Sequence, residues 1–344
     1  MVRSPDLLLW AGGYSSGMGG AAEGIGLLRW DGASLSFEGT VARMPSPSFL
    51  AYDRGVVAAV DEETGHVRTF AASPDGGLVP LGGGGAVPTS GPNPCHVRFL
   101  DGSEARALLV ANYGSGSIDL VECGADGAAH NLASSFQGAG SGPRDEQDGP
   151  HAHSTAVVTR GSRAPWVVSA DLGADLVHLL SLSSGVLSPV SSLSVPPGTG
   201  PRDLLALRER MVLLGEFGGA LCELGMDEAG LELVASGQIA EGAEGDQASG
   251  LVAGRDARFL YAGLRGSNRI AVADAASLAP VGTVSCEGDW PRHLALVGDA
   301  LFVSNQRSGS VAVFALDADT GMPEFLTSAN VPTPTFLLPA ASAY

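Results

Sequence analysis

With 344 residues, 49 of them glycine and 21 proline, 16% charged and 44% hydrophobic, the chain has the composition of a turn-rich folded protein and not of a disordered one. Its formal net charge of −18 excludes duplex nucleic acid and anionic membrane surfaces as expected partners, since both are bound through clustered Lys and Arg. Oligomeric state is left open by composition.

From the N-terminus, Met1-Val-Arg-Ser-Pro-Asp-Leu-Leu-Leu-Trp offers three or four apolar residues, short of the roughly seven that an export signal requires. No apolar run approaches the length of about 20 residues that a membrane helix needs, so a cytoplasmic protein is expected. Leu7-Leu-Leu-Trp-Ala-Gly-Gly-Tyr then opens the first of seven similar units, with no opening strand ahead of it. Within it, Gly13-Tyr-Ser-Ser-Gly17 matches the spacing G-x-S-x-G, but Gly19 and Gly20 fall where the helix of a nucleophile elbow must begin. The match is set aside.

The second unit pairs Ser46-Pro-Ser-Phe-Leu with Val56-Val-Ala-Ala-Val, and the third pairs Asn93-Pro-Cys-His-Val with Leu108-Leu-Val-Ala-Asn-Tyr-Gly. The fourth pairs His151-Ala-His-Ser with Trp166-Val-Val-Ser-Ala-Asp-Leu-Gly, and the fifth Gly200-Pro-Arg-Asp-Leu with Met211-Val-Leu-Leu-Gly-Glu-Phe. The sixth joins Ala248-Ser-Gly-Leu-Val, Arg258-Phe-Leu-Tyr-Ala-Gly-Leu-Arg and Arg269-Ile-Ala-Val-Ala; the seventh joins Trp290-Pro-Arg-His-Leu-Ala-Leu, Ala300-Leu-Phe-Val-Ser-Asn-Gln and Ser310-Val-Ala-Val-Phe-Ala-Leu-Asp. Aligned on their hydrophobic strands, Asp61, Asn112, Asp171, Gly215, Leu264 and Asn305 are equivalent, at intervals of 51, 59, 44, 49 and 41 residues. This is the spacing of propeller blades, and it predicts an all-β, seven-bladed β-propeller over residues 1–344 as one domain.

A fourth strand per blade is expected in less patterned stretches such as Leu78 to Val87 or Leu231 to Ile239. Because Thr333-Pro-Thr-Phe-Leu-Leu resembles Ser46-Pro-Ser-Phe-Leu-Ala, residues 334–338 are expected to supply the strand missing from the first blade, removing open sheet edges. Cys95, Cys123, Cys222 and Cys286 lack C-x-x-C spacing or histidine partners and read as reduced thiols packed in strands, with no metal and no cofactor expected.

Strand direction sorts the polar residues. With strands A to D numbered outward, D-to-A and B-to-C loops share one face. His96, His151, His153, Arg202, Asp203, Trp290, Arg292 and His293 fall on the first kind of loop; Glu62, Tyr113, Glu216, Arg265 and Gln306 fall at one position after strand B. Rigid strands carrying His, Glu and several Arg around a hollow are suited to a small ligand. Asp145-Glu-Gln-Asp148 does not match a calcium loop and is expected to be solvated.

These motifs resemble the lactonase family of seven-bladed propellers, which includes bacterial 6-phosphogluconolactonases and fungal carboxymuconate cyclases. The resemblance lies in Asn93-Pro-Cys-His, Val110-Ala-Asn-Tyr-Gly, Pro150-His-Ala-His-Ser, Ala170-Asp-Leu-Gly-Ala-Asp, Gly200-Pro-Arg, Arg265-Gly-Ser-Asn, Gly288-Asp-Trp-Pro-Arg and Ser304-Asn-Gln. It implies a catalytic set of one His, two Arg and one Glu at His153, Arg202, Arg265 and Glu216. Asp203 stands where family members usually carry His after Gly-Pro-Arg. His96, His151, Arg292, Tyr113 and Gln306 are the expected substrate-binding neighbours.

The expected reaction is hydrolysis of a small anionic lactone, 6-phosphogluconolactone in the first place. His153, near its ordinary pKa, would act as general base on water. Glu216 would orient the imidazole or share its proton, and Arg202 and Arg265 would hold phosphate and oxyanion. A carboxymuconate-type cyclase using the same residues, and a non-catalytic interaction platform, are the rival expectations.

Overall fold

The computed structural model of the protein describes residues 6–100, 106–159, 165–207, 210–227 and 230–340; part of the N-terminal stretch weighed as an export signal, residues 1–5, lies outside them. Seven antiparallel sheets follow one another along the chain. Six have four strands, and the second has its outer strand split into Leu78–Pro80 and Val87–Pro88, both paired with His66–Ala72. The expected outer strand of the fifth blade is Gly230–Gln238. Among the described residues no helix is long and apolar enough to cross a membrane.

The sequence pattern of each strand follows from its place in the blade. Second strands such as Val56–Asp61 and Phe259–Leu264 are buried along their whole length. Blades cover both of their faces, so they read as continuous apolar runs rather than alternations. Outer strands such as Val186–Ser194 and Gly230–Gln238 are largely exposed and carry the Ser, Glu and Gln that obscured them in the sequence. Seven hydrophobic clusters form, each between neighbouring blades. One of them joins Phe302 and Val313 of the last blade to Leu9, Leu28 and Leu337 of the first. The ring is closed by Pro334–Pro339, which pairs antiparallel with Leu7–Gly13 as the innermost strand of blade 1.

Cys95, Cys123 and Cys222 lie in strands; Cys286 instead follows Pro280–Ser285 in the loop. All four are buried free thiols. The Asp145-Glu-Gln-Asp148 stretch is not wholly solvated: Gln147 is buried and donates from Nε2 to the Leu172 carbonyl at 2.8 Å.

The six residues aligned from the sequence are the last residues of the second strands in blades 2 to 7. In every blade, the N–H of the next residue donates to a carbonyl just ahead of the innermost strand. The pairs are Tyr14–Thr333, Glu62–Ser46, Tyr113–Asn93, Leu172–His151, Glu216–Gly200, Arg265–Gln247 and Gln306–Trp290. This one bond brings the start of strand A and the end of strand B to the same rim, where the site is built.

Candidate active site

In five blades the residue ahead of strand A has positive φ and is followed by proline: Ser46, Asn93, Gly200, Trp290 and Thr333. Just beyond it the pairing with strand B skips one residue. The skipped residues are Thr335, Cys95, His153, Arg202 and Arg292 in blades 1, 3, 4, 5 and 7, and Gly250 in blade 6. An extra residue of this kind breaks the alternation of a strand, so two successive side chains turn toward the axis. They line a central hollow open to solvent. Its upper residues are Ser48, Cys95, His153, Arg202, Arg292 and Thr335; its lower ones are Phe49, His96, Ser154, Asp203, Gly250, His293 and Phe336.

One side of the upper layer is an ion cluster. Arg202 Nη1 pairs with Glu216 Oε2, and Arg265 Nη2 lies 2.8 Å from Glu216 Oε1; all three residues are buried. Burial raises the Glu216 pKa, but Arg202 and Arg265 outweigh it and hold the carboxyl below the usual range. Glu216 is therefore ionised at neutral pH and has no proton to share. Among the described residues no hydrogen bond joins it to His153, so it positions the two arginines and not the imidazole. Arg265 also donates from Nε to Gln247 O at 3.2 Å and from Nη2 to Ala248 O at 3.3 Å. Its Nε and Nη2 donors are engaged by protein, and Arg292, not Arg265, shares the wall of the hollow with Arg202.

Arg292 is held differently. It donates from Nη2 to Tyr14 Oη at 2.6 Å and from Nη1 to Gln306 Oε1 at 3.4 Å, and Tyr14 Oη donates in turn to Glu62 Oε1 at 3.0 Å. Its nearest partners are neutral, and the carboxylate stands one residue away. Burial lowers the Arg292 pKa, but Tyr14, Glu62 and Glu216 more than compensate, so it stays charged. Tyr14 is a site residue that the sequence reading missed. It occupies in blade 1 the place that Glu62, Glu216 and Arg265 occupy in theirs, and extending the alignment one unit toward the N-terminus selects it.

His153 is half-buried, and among the described residues its imidazole has no hydrogen-bond partner; Tyr113 meets it edge-on at 6.0 Å. Burial, then the charges of Arg202, Arg292 and Arg265, lower its pKa well below 6.5. The expectation of an ordinary histidine is thus corrected: the ring is neutral at pH 7 and both nitrogens are available to water or ligand. Cys95 donates its S–H to the carbonyls of Ala152 and His153 at 3.6 and 3.5 Å, and burial pushes the thiol up out of the nucleophilic range.

The lower layer is aromatic on one side. Phe49 and Phe336 are 3.9 Å apart between ring centres, His96 lies 4.5 Å from Phe49, and His293 lies 3.9 Å from Phe336. Burial pushes both histidines down to about 3, so they serve as neutral rings. His293 Nδ1 accepts the Leu337 N–H at 3.2 Å, which leaves the ring proton on Nε2. Across the hollow, the buried Ser154 hydroxyl has no partner among the described residues. Asp203 accepts the Leu251 N–H at 2.8 Å and the Leu204 N–H at 3.0 Å, tying blade 5 to blade 6. His151 lies outside the lining. It stacks on Tyr113 at 4.4 Å, with Nδ1 2.8 Å from Tyr113 O and Nε2 3.1 Å from Asp148 Oδ1.

Residues 8–339 match the model of the family described as lactonase, 7-bladed β-propeller. A 6-phosphogluconolactonase of Bacillus subtilis is 31% identical over 257 residues, covering 71% of this chain and 72% of that protein. Among solved structures, a protein from Lactobacillus plantarum superposes with TM-score 0.87 at 25% identity, covering 97% of this chain and 99% of that one. The periplasmic gluconolactonase of Pseudomonas aeruginosa gives 0.86 at 25% identity, with 98% and 99% covered.

Proposed function

Because this chain belongs to the seven-bladed β-propeller lactonase family, we propose that it hydrolyses a sugar lactone, 6-phospho-D-glucono-1,5-lactone to 6-phosphogluconate, in the central hollow. The observation that carries the proposal is His153: a neutral imidazole, unpartnered among the described residues, facing the hollow that Arg202 and Arg292 also line. In the proposed reaction, water attacks the lactone carbonyl while His153 takes its proton, forming a C–O bond and an anionic tetrahedral centre. Arg202 and Arg292 stabilise that oxyanion by charge-assisted hydrogen bonds. Collapse breaks the ring C–O bond, and the imidazolium returns its proton to the departing alkoxide, leaving a carboxylic acid that loses its remaining proton to solvent to give the carboxylate product.

Glu216 and Arg265 hold Arg202 from behind, and Tyr14, Glu62 and Gln306 do the same for Arg292. The unpartnered Ser154 hydroxyl suits a polyol substrate. Among the described residues the three arginines are answered by two nearby carboxylates, Glu216 touching Arg202 and Arg265 and Glu62 reaching Arg292 only through Tyr14, which favours an anionic lactone over a neutral one in a protein of net charge −18. The Bacillus relative's name supports the same substrate. A cytoplasmic site of action is part of the proposal, supported by four buried free thiols.

The test is stopped-flow hydrolysis of freshly prepared 6-phosphogluconolactone. His153→Ala is expected to lower kcat by about 10²- to 10⁴-fold, the range for loss of a general base. Undiminished turnover by that variant would falsify the assignment. Cyclisation of a carboxymuconate, followed by its ultraviolet absorbance, is expected to be absent.

A further inference from the structure

Four arginines stand on this rim, two of them, Arg202 and Arg292, lining the hollow, and three have side-chain donors engaged: Arg202 with Glu216, Arg265 with Glu216 and two carbonyls, Arg292 with Tyr14 and Gln306. The fourth is Arg307. It is exposed, and among the described residues its side chain has no hydrogen bond and no ion pair. What holds it is the face of Trp290, with the guanidinium carbon 3.4 Å from the ring centroid. Stacking of this kind occupies the π-face and leaves the planar fork of five N–H donors free at its edge. A cation fixed in position with all its donors unused is the arrangement that binds a phosphate bidentately.

The platform itself is unusual. Trp290 has φ +67°. At the equivalent places with positive φ the chain uses Ser46, Asn93, Gly200 and Thr333; the first three are small or αL-tolerant, whereas the β-branched Thr333 and the bulky aromatic are strained there. The ring accepted at that cost carries Arg307 close against it and has Arg265 5.4 Å from its centroid. Arg307 also directly follows Gln306, whose side chain accepts from Arg292. The free fork therefore stands one residue along the chain from a group that braces Arg292, itself part of the wall of the hollow.

We infer that Arg307, laid on Trp290, forms an outer anion subsite that receives the phosphoryl group of the lactone and so sets preference for a phosphomonoester over the unphosphorylated sugar lactone. The inference rests on the lactonase reading above, but it assigns a residue outside the hollow. The phosphoryl group sits at the mouth, and the carbonyl lies inward beside His153.

The experiment compares wild type, Arg307→Gln and Arg307→Lys on 6-phosphogluconolactone and on glucono-1,5-lactone, and measures binding of 6-phosphogluconate and of gluconate by calorimetry. Arg307→Gln is expected to raise KM for the phosphorylated lactone about tenfold, the loss of one charge-assisted contact, with kcat and both constants for the unphosphorylated lactone unchanged. Affinity for 6-phosphogluconate should fall by the same factor and that for gluconate should not. Arg307→Lys should restore little, since a lysine neither stacks on the ring nor offers the fork. Equal effects on both substrates, or no Arg307-dependent difference between the two products in binding, would overturn the inference. Should wild type hydrolyse neither lactone yet bind 6-phosphogluconate through Arg307, the subsite stands and the lactonase reading falls. Normal turnover of both lactones by Arg307→Gln would remove the subsite and leave the lactonase reading in place.

Discussion

The upper and lower layers of the hollow are made in six blades by consecutive residues at the start of the inner strand, yet they treat polar side chains in opposite ways. In the upper layer, arginines remain charged because residues from the ends of the second strands reach across to them: Glu216 directly, Glu62 through Tyr14. In the lower layer no such partner arrives, and His96 and His293 are kept neutral between Phe49 and Phe336. His153 belongs to the upper layer by position but shares the neutrality of the lower. Burial and the very arginines that make the layer cationic deny it a proton. A charged layer resting on a dry one gives strong electrostatics toward a bound anion, with an uncharged base among the cations.

The largest test of this contrast is acid unfolding. A histidine whose folded pKa is depressed favours the folded state fully above the unfolded value near 6.5. As pH falls, the unfolded chain takes a proton that the folded one refuses. For His96 and His293 the loss extends from about pH 6.5 to about 3, at about 1.4 kcal/mol per pH unit for each. His153, also lowered well below 6.5, adds to it in the same direction. Stability from urea titrations at pH 7.5 and pH 5 should therefore differ by several kcal/mol, and His293→Phe should reduce the slope by about one proton. A slope unchanged by His293→Phe would mean that the lower layer is not neutral.

Next in size is the neutralisation of the upper layer. Glu216→Gln leaves two buried guanidinium groups without their carboxylate, and breaking a buried pair in this way costs about 3–5 kcal/mol. Glu62→Gln keeps an oxygen to accept from Tyr14 and should cost about 1 kcal/mol. Thermal denaturation of the two variants separates direct from indirect neutralisation, and equal losses would erase the distinction between the two sides.

Tyr14→Phe comes third. It removes one acceptor from Arg292, a hydrogen bond to a charged group worth about 1.5–3 kcal/mol, while leaving His153 and Arg202 untouched. Kinetics should show KM for the lactone rising by about tenfold or more with a smaller change in kcat; a loss confined to kcat would place Tyr14 in proton transfer instead.

Much of this is legible in the residues alone, and for a physical reason. Repeat spacing assigns each residue a strand and an end of the strand, so His153, Arg202, Glu216 and Arg265 can be grouped on one face without knowing a single distance. What spacing does not reveal is which donor is already occupied. Arg265 has the same standing in the repeat as Glu216, but its contacts with Gln247 and Ala248 arise from side-chain packing that no period encodes. Tyr14 is hidden because its unit lacks the opening strand, which arrives from the far end of the chain. Phe49 and Phe336 prove to be part of the floor, and beside Phe336 the skipped Thr335 turns two neighbours inward where simple alternation predicts one. The charge state of His153 is out of reach for a similar reason: the pKa of an isolated residue type carries no information about three arginines that converge only in the ring.

The finest test uses that charge state. If His153 is the base, kcat/KM on the acid side should fall only as the imidazole gains a proton, and in the free enzyme that occurs well below 6.5. The profile should be flat from pH 8 to pH 6, where an ordinary histidine would already have lost more than half of its base form. Arg292→Gln removes one of the cations that oppose protonation, after burial and Arg202, so its acid limb should move upward toward 6.5 even where its absolute rate is low. The direction of that shift is independent of how much activity the variant keeps. A wild-type limb centred at 6.5, or an Arg292→Gln limb that does not move, would show that the base is not a histidine held neutral by the upper layer.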